Sequence, residues 1–286
     1  MTTKLITNRP SLERHLSPNA RRTGSLLHLF IAQVRAEFIQ AWRVPEFLIG
    51  VTVIPTILFS MFGLPNAAQV LPNGTTVGTL MMASFAAYGI LSLCIFTFGV
   101  DIAQERGRGW MKLMRATPLP PWVYFAGKMM MAVLFAILTL LLLVAVGIFF
   151  GNVHLGLGQW LSMFGVVLLG GLAFSTLGFA LAYWTKPRAA SAIANLVFLP
   201  LSFLSGFFFP LNQLPKFFQD LAPYLPTYHY GQLVWKTVGN PDDVALFTGQ
   251  AGSGEPLHTL WLLGSFVVFG ILALWGYRKD QSQQFG

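Results

Sequence analysis

Six stretches of this chain hold no Asp, Glu, Lys, Arg or His, and each is about long enough to cross a bilayer as a helix. They run from Phe47 to Leu64, Val77 to Val100, Met129 to Phe150, Gln159 to Trp184, Ala189 to Phe209 and Thr259 to Tyr277. Crossing the ~30 Å hydrocarbon core takes about 20 helical residues, and backbone groups in lipid must be bonded internally, so the runs are expected to be transmembrane helices. They lack the alternating apolar pattern of about ten residues that marks a barrel strand. Pro65, Pro72, Pro118, Pro120, Pro121, Pro187 and Pro210 fall between the runs, whereas Pro55 and Pro200 lie inside them and are expected to kink the first and fifth helices. With 55% hydrophobic and 10% charged residues, against about 25% charged in a soluble domain, most of the chain belongs in lipid. The fold class is therefore an all-α integral membrane protein, with one six-span unit over 46–277 between tails at 1–24 and 278–286.

Sixteen of the eighteen Lys and Arg residues fall on one side of this arrangement: before the first run, between the second and third, between the fourth and fifth, and after the sixth. Only Lys216 and Lys236 fall on the other. Cytoplasmic loops retain positive charge, so both termini are expected in the cytoplasm. The same asymmetry accounts for the net charge of +8 without a nucleic-acid partner. Residues 1–24 are polar and basic with no apolar core, which excludes a cleavable signal peptide there. The single cysteine, Cys94, excludes an intrachain disulfide scaffold.

Over 25–45, Leu27, Ile31, Val34, Phe38 and Trp42 recur at helical spacing, with Arg35, Glu37, Gln40 and Arg43 on the other side. Such an amphipathic helix lies in the membrane surface, against membrane lipids, or packs on the chain's own cytoplasmic ends.

The chemistry that is missing narrows the function. Ion-coupled transport calls for ionisable groups near the midplane, and the six runs have none. The only Gly-Lys pair, Gly127-Lys128, is not a phosphate loop. Asp242-Asp243 after Asn240-Pro241 reads as a solvated loop, and His154, His229 and His258 as isolated interfacial or solvated side chains. No catalytic constellation or metal site is expected.

Two segments carry information. Between the second and third runs, Trp110, Leu113 and Met114 share one face of a short helix that Pro118 ends. That helix either rests on lipid headgroups or docks a cytoplasmic partner that supplies energy. After the fifth run, Ser205-Gly206-Phe207-Phe208-Phe209-Pro210 and Leu214-Pro215-Lys216-Phe217-Phe218 are apolar pieces too short to cross, as in re-entrant or interfacial helices.

Together these segments resemble the permease subunit of ABC-2 type transporters. The loop pattern of that family, Glu-Arg, Gly, Leu, Thr-Pro and then Lys, is met by Glu105, Arg106, Gly109, Leu113, Thr117, Pro118 and Lys128. Its pattern Ser-Gly-x-x-x-Pro-x-x-x-Leu-Pro is met by Ser205, Gly206, Pro210, Leu214 and Pro215. Lys112 departs from it, since many relatives carry an acidic residue there. The resemblance covers Ser25 to Lys279.

It implies one membrane half of an ATP-driven ABC exporter in the plasma membrane (bacterial inner membrane), paired with a second permease subunit as a homodimer or heterodimer. Two separate ABC ATPase subunits would hold the ATP and Mg, with no cofactor on this chain. Trp110, Leu113 and Met114 would fill an apolar groove on the ATPase, and Glu105 and Arg106 would hold the loop through charge contacts. The transport path is expected between two permeases, along polar side chains of the second and fifth spans: Ser84, Tyr88, Ser92, Asn195 and Ser202. Helix-to-helix hydrogen bonding is the alternative use of those groups. An apolar or amphipathic cargo (drug-like compound, lipid or lipid-linked glycan) suits uncharged spans. The alternative function is an ATP-independent channel, facilitator or scaffold.

Overall fold

The computed structural model describes residues 26–110, 120–249 and 254–283. Among them there is no β-strand, and six helices are long and apolar enough to cross a membrane. A surface helix α1 (Leu26–Trp42) leads into the spans α2 (Pro45–Asn66), α3 (Val77–Gly107), α4 (Pro121–Phe150), α5 (Leu157–Trp184) and α6 (Pro187–Leu204). Three short helices follow, α7 (Lys216–Leu221), α8 (Pro226–Val238) and α9 (Pro241–Thr248), before the last span α10 (Glu255–Gln283). The ends of α1, α3 and α10 meet the start of α4 at one end of the bundle, which carries most of the positive charge and is called the basic end below.

The core is built around α3. Every residue from Val77 to Leu93 is buried, and α4, α5 and α8 pack against it. Such a helix is apolar all round because it is covered all round. Pro55 in α2 is flanked by two π-helical stretches, Ile49–Val53 and Phe59–Gly63. The wider turns accommodate the backbone hydrogen bond that proline cannot donate. Pro200 sits within the α-helical Ala190–Leu204 segment of α6.

The helix ends differ from the apolar runs, and the reason is electrostatic. The second run stops at Val100, but α3 continues through Asp101, Glu105 and Arg106 to Gly107. Met129 begins the third run, but α4 starts at Pro121 and takes in Lys128. Charges end an apolar run in sequence without ending a helix when they find partners in the fold. The fifth span is shorter than its run: the helix closes at Ser205, and Gly206 at φ +82° reverses the chain, a conformation that favours glycine. Phe208 then folds back to stack on Phe203 at 4.1 Å between ring centroids.

Polar residues at the opposite end are more enclosed than their sequence suggests. α8 is almost wholly buried, and its His229 is not solvated. Nε2 of His229 lies 2.9 Å from the Pro223 carbonyl, and Nδ1 lies 2.7 Å from Nδ1 of His258, itself fully buried. A carbonyl only accepts, so His229 carries its hydrogen on Nε2, and its bare Nδ1 accepts from the Nδ1–H of His258. Trp261 stacks on the His229 ring and Tyr228 packs edge-on to it. Asp243 is likewise no loop carboxylate. Sealed by its neighbours near the tip of the bundle, it accepts from the backbone N–H of Asn73 and Thr75, both at 3.0 Å, and from Nδ2 of Asn73 at 3.2 Å. This clasp ties the loop between α2 and α3 to α9. Burial pushes the Asp243 carboxyl upward, but the donors from Asn73 and Thr75 outweigh it and hold the group below its usual range.

Asp243→Ala leaves those donors unmatched, at about 1–3 kcal/mol, and is expected to lower Tm, whereas Ala at exposed Asp242 is expected to stay within ±0.5 kcal/mol. Burial, opposed by the hydrogen bond to Pro223, holds the His229 imidazole below its ordinary pKa. The unfolded chain then binds more protons as pH falls through about 6.5. The contribution of the neutral pair is full above that pH and is lost below it. Thermal unfolding at pH 7.5 and 5.5 should show a fall in Tm that His229→Gln flattens.

Candidate coupling site at the basic end

Lys128 is the hub of this end. The spacing of α4 places it one helical turn beyond Tyr124, on the side facing α3 and α1, and its side chain is 2% exposed. Nζ donates to Glu37 Oε2 of α1 at 3.0 Å and to Glu105 Oε1 of α3 at 2.9 Å. The remaining oxygens are also taken: Gln33 Nε2 donates to Glu37 Oε1 at 2.8 Å, and the Tyr124 hydroxyl donates to Glu105 Oε2. A cavity of about 190 Å³ adjoins the cluster, lined by Glu37, Asp101, Glu105, Arg108 and Lys128 among others. Gly127 allows the approach of α1, since a Cβ there would meet Gln33 Cγ at 2.6 Å.

This pairing buries one residue, Glu37, of the polar side of α1. Glu37 and Ala41 are the buried residues, while Leu27, Ile31 and Trp42 of the apolar stripe stay exposed. The helix packs on the bundle through Glu37 and Ala41, with Phe38 stacking on Phe135, and leaves an apolar outer surface. Burial raises the Glu37 carboxyl above its ordinary range, against the pull of the Lys128 ammonium and with repulsion from Glu105 adding to it.

Arg106 makes a second clamp. Nη1 donates to the Tyr183 carbonyl at 3.1 Å and to Asp280 Oδ1 at 3.3 Å, and Nη2 donates to the Thr185 carbonyl at 2.6 Å. It therefore holds the end of α3 to the end of α5 and to α10, and satisfies carbonyls that a helix terminus leaves open. Glu105 and Arg106 do make charge contacts, and those seen here are to this chain's own helices. Beyond them Gly109 turns with φ +77° and Trp110 is 43% exposed. Leu113 and Met114 lie outside the described residues.

The polar residues of the spans divide. Ser84, Tyr88, Ser92 and Ser202 are enclosed within the chain. Ser84 accepts from Trp235 Nε1 at 2.8 Å and donates to the Leu80 carbonyl, Tyr88 packs among Phe85, Phe198 and Phe208, and Ser202 donates to the Phe198 carbonyl. Asn195 alone of the five is exposed, with Nδ2 donating to the Ser191 carbonyl. At the other end Gly206 makes the turn after α6, Pro210 precedes a short 3₁₀ turn, and Pro215 caps α7. Sequence reading missed Glu37, Tyr124, Tyr183 and Asp280 as parts of the junction. The one available signal was an acid, Glu37, four residues beyond Gln33 on a helix otherwise free of acids.

The chain compares with known proteins as follows. The profile described as ABC-2 family transporter protein matches residues 70–275. The putative transport permease YvfS of Bacillus subtilis is 25% identical over 201 residues, 70% of this chain and 78% of that protein. The probable multidrug ABC transporter permease YbhR of Escherichia coli is 22% identical over 223 residues, 77% of this chain and 55% of that protein. Nodulation protein J of Rhizobium leguminosarum bv. viciae is 28% identical over 175 residues, 59% of this chain and 66% of its own length.

Removing one partner from a buried ion pair costs about 3–5 kcal/mol, because the other charge stays behind. Lys128→Met is therefore expected to lower the yield and Tm of folded protein sharply. Adding Glu37→Gln and Glu105→Gln to it should recover part of the loss, since the stranded charges go with the lysine. Size-exclusion chromatography and thermal unfolding of the two variants measure this.

Proposed function

The chain belongs to the ABC-2 family of transporter proteins, and from that premise we propose that it is the permease of an exporter driven by two separate ABC ATPase subunits. Its basic end faces the cytoplasm, and a second permease subunit completes the membrane part. ATP and Mg belong to the ATPase. The cargo is an apolar or amphipathic molecule moved outward, in keeping with spans that carry no charge through their middle.

The observation that carries the reading is the double clamp at the basic end. Lys128 joins α1, α3 and α4, Arg106 joins α3, α5 and α10, and the exposed Trp110 follows within a few residues. A push on the segment after Gly109 would reach four spans and the surface helix through these two clamps. Asn195, facing outward from α6, is the residue best placed for a path or contact shared with the second permease.

Trp110 is the proposed anchor in an apolar groove of the ATPase, with Leu113 and Met114 beside it. Losing a buried aromatic anchor typically costs about 2 kcal/mol or more, roughly thirtyfold in affinity. Trp110→Ala is expected to weaken ATPase co-purification by about that factor, or to lower transport per ATP, with the membrane fold unchanged. Wild-type values for both would remove Trp110 from the coupling contact and favour a helix that rests on headgroups.

A further inference from the structure

We propose that the Asn73-Gly74 pair, in the loop between α2 and α3, is a site of covalent self-modification, the hydrolytic conversion of asparagine to aspartate or isoaspartate, and that the Asp243 clasp restrains it. It is the only Asn-Gly pair in the chain. The backbone nitrogen of Gly74 attacks Cγ of Asn73, a carbon-nitrogen bond forms, and the side-chain amide leaves as ammonia, taking up the proton that the Gly74 nitrogen gives up. Water then opens the five-membered succinimide at one of its two carbonyls, which yields aspartate, or isoaspartate with the backbone one carbon longer. Glycine obstructs the attack least, having no Cβ. At Gly74 φ is +93° and a Cβ would meet nothing within 4 Å, so the nitrogen is open to approach. Both residues are exposed, which supplies the water.

The fold holds back both reacting atoms. Leu71-Pro72-Asn73-Gly74 is a β-turn with proline in its second position, closed by the Gly74 N–H donating to the Leu71 carbonyl at 2.9 Å. The nucleophile gives up that bond before it attacks. The turn is itself pinned, because the Leu71 N–H donates to the Thr75 carbonyl at 2.8 Å and Thr75 Oγ1 accepts from the Asn240 N–H at 2.9 Å. On the other side, Nδ2 and the backbone N–H of Asn73 both donate to Oδ1 of Asp243, at 3.2 and 3.0 Å. Two donors of one residue that converge on one oxygen fix its side chain, so Cγ reaches the Gly74 nitrogen only by breaking the Nδ2 bond. Asp243 is buried and its other oxygen is held by the Thr75 N–H, so it does not follow. Conversion then acts back on the clasp. It replaces the Nδ2 donor by a carboxylate beside a carboxylate, where like charges repel, and the longer backbone of isoaspartate shifts the Thr75 N–H from its acceptor. The tie between this loop and α9 is loosened in one direction only, since the ammonia is not returned.

The test ages the full chain in mild detergent at mildly alkaline pH and reads loss of the Asn73 amide by peptide mapping with mass spectrometry. Folded wild type is expected to convert at least tenfold more slowly than the same chain unfolded in guanidinium chloride. Asp243→Ala should remove most of that protection. Asp243→Asn, which keeps the shape and one acceptor oxygen, should remove part of it, and it carries the comparison if the alanine variant does not fold. A second arm reads the consequence for the clasp. Asn73→Asp, the converted side chain, should lower Tm, and adding Asp243→Asn should restore part of the loss, because one of the two facing charges is then gone. Equal rates in folded and unfolded wild type overturn the proposal, as does undiminished protection in the folded Asp243 variants. A wild-type Tm for Asn73→Asp overturns the release of the clasp.

Discussion

An ammonium buried at the end of a membrane bundle must be matched by carboxylates, and in this chain that requirement determines how the basic end is assembled. The Nζ of Lys128 cannot reach water, so α1 is drawn in until Glu37 meets it, and α3 stays helical beyond its apolar run until Glu105 does. With both carboxylates also bonded by Gln33 and Tyr124, all four of their oxygens have a partner, a condition that favours buried charge fixing geometry over merely destabilising. The rest of the end follows from this. Continuation of α3 brings Arg106 to the open carbonyls of α5 and to Asp280 of α10, and Trp110 follows a few residues on.

The opposite end is held by different means. There the connection between α6 and α10 is packed inward as α8, fixed by Trp235 on Ser84, Ser205 on Thr227 and the paired histidines, and capped by the clasp of Asp243. One end is thus tied by ion pairs at the rim, and the other by hydrogen bonds that include those of the Asp243 carboxylate. The ion-paired end concentrates its contacts beside the segment proposed to dock an ATPase. Between them α3, covered on all sides, links the two.

The six spans were legible in the sequence because an uncharged apolar run about twenty residues long has few other uses. Helix ends were not legible: Glu105 and Lys128 look like loop residues until their partners are known, and those partners are up to 91 positions away. Glu37 went to the polar side of α1 for the same reason, since it counts as polar by type and as core by pairing. His229 and Asp243 looked solvated because the sequence does not display a histidine on another helix or two backbone N–H groups from a distant loop. Serines in α3 and α6 drew attention as polar groups in lipid, yet Ser84 and Ser202 bond within the bundle, leaving Asn195 as the outward-facing one of the set.

The account turns on what Trp110 touches when the protein is in its membrane. Replacing it with a photo-crosslinking amino acid, irradiating intact cells and identifying the adduct by mass spectrometry reads that contact directly. The account predicts a covalent adduct with a phosphate-loop ATPase, and adducts with lipid alone would contradict it.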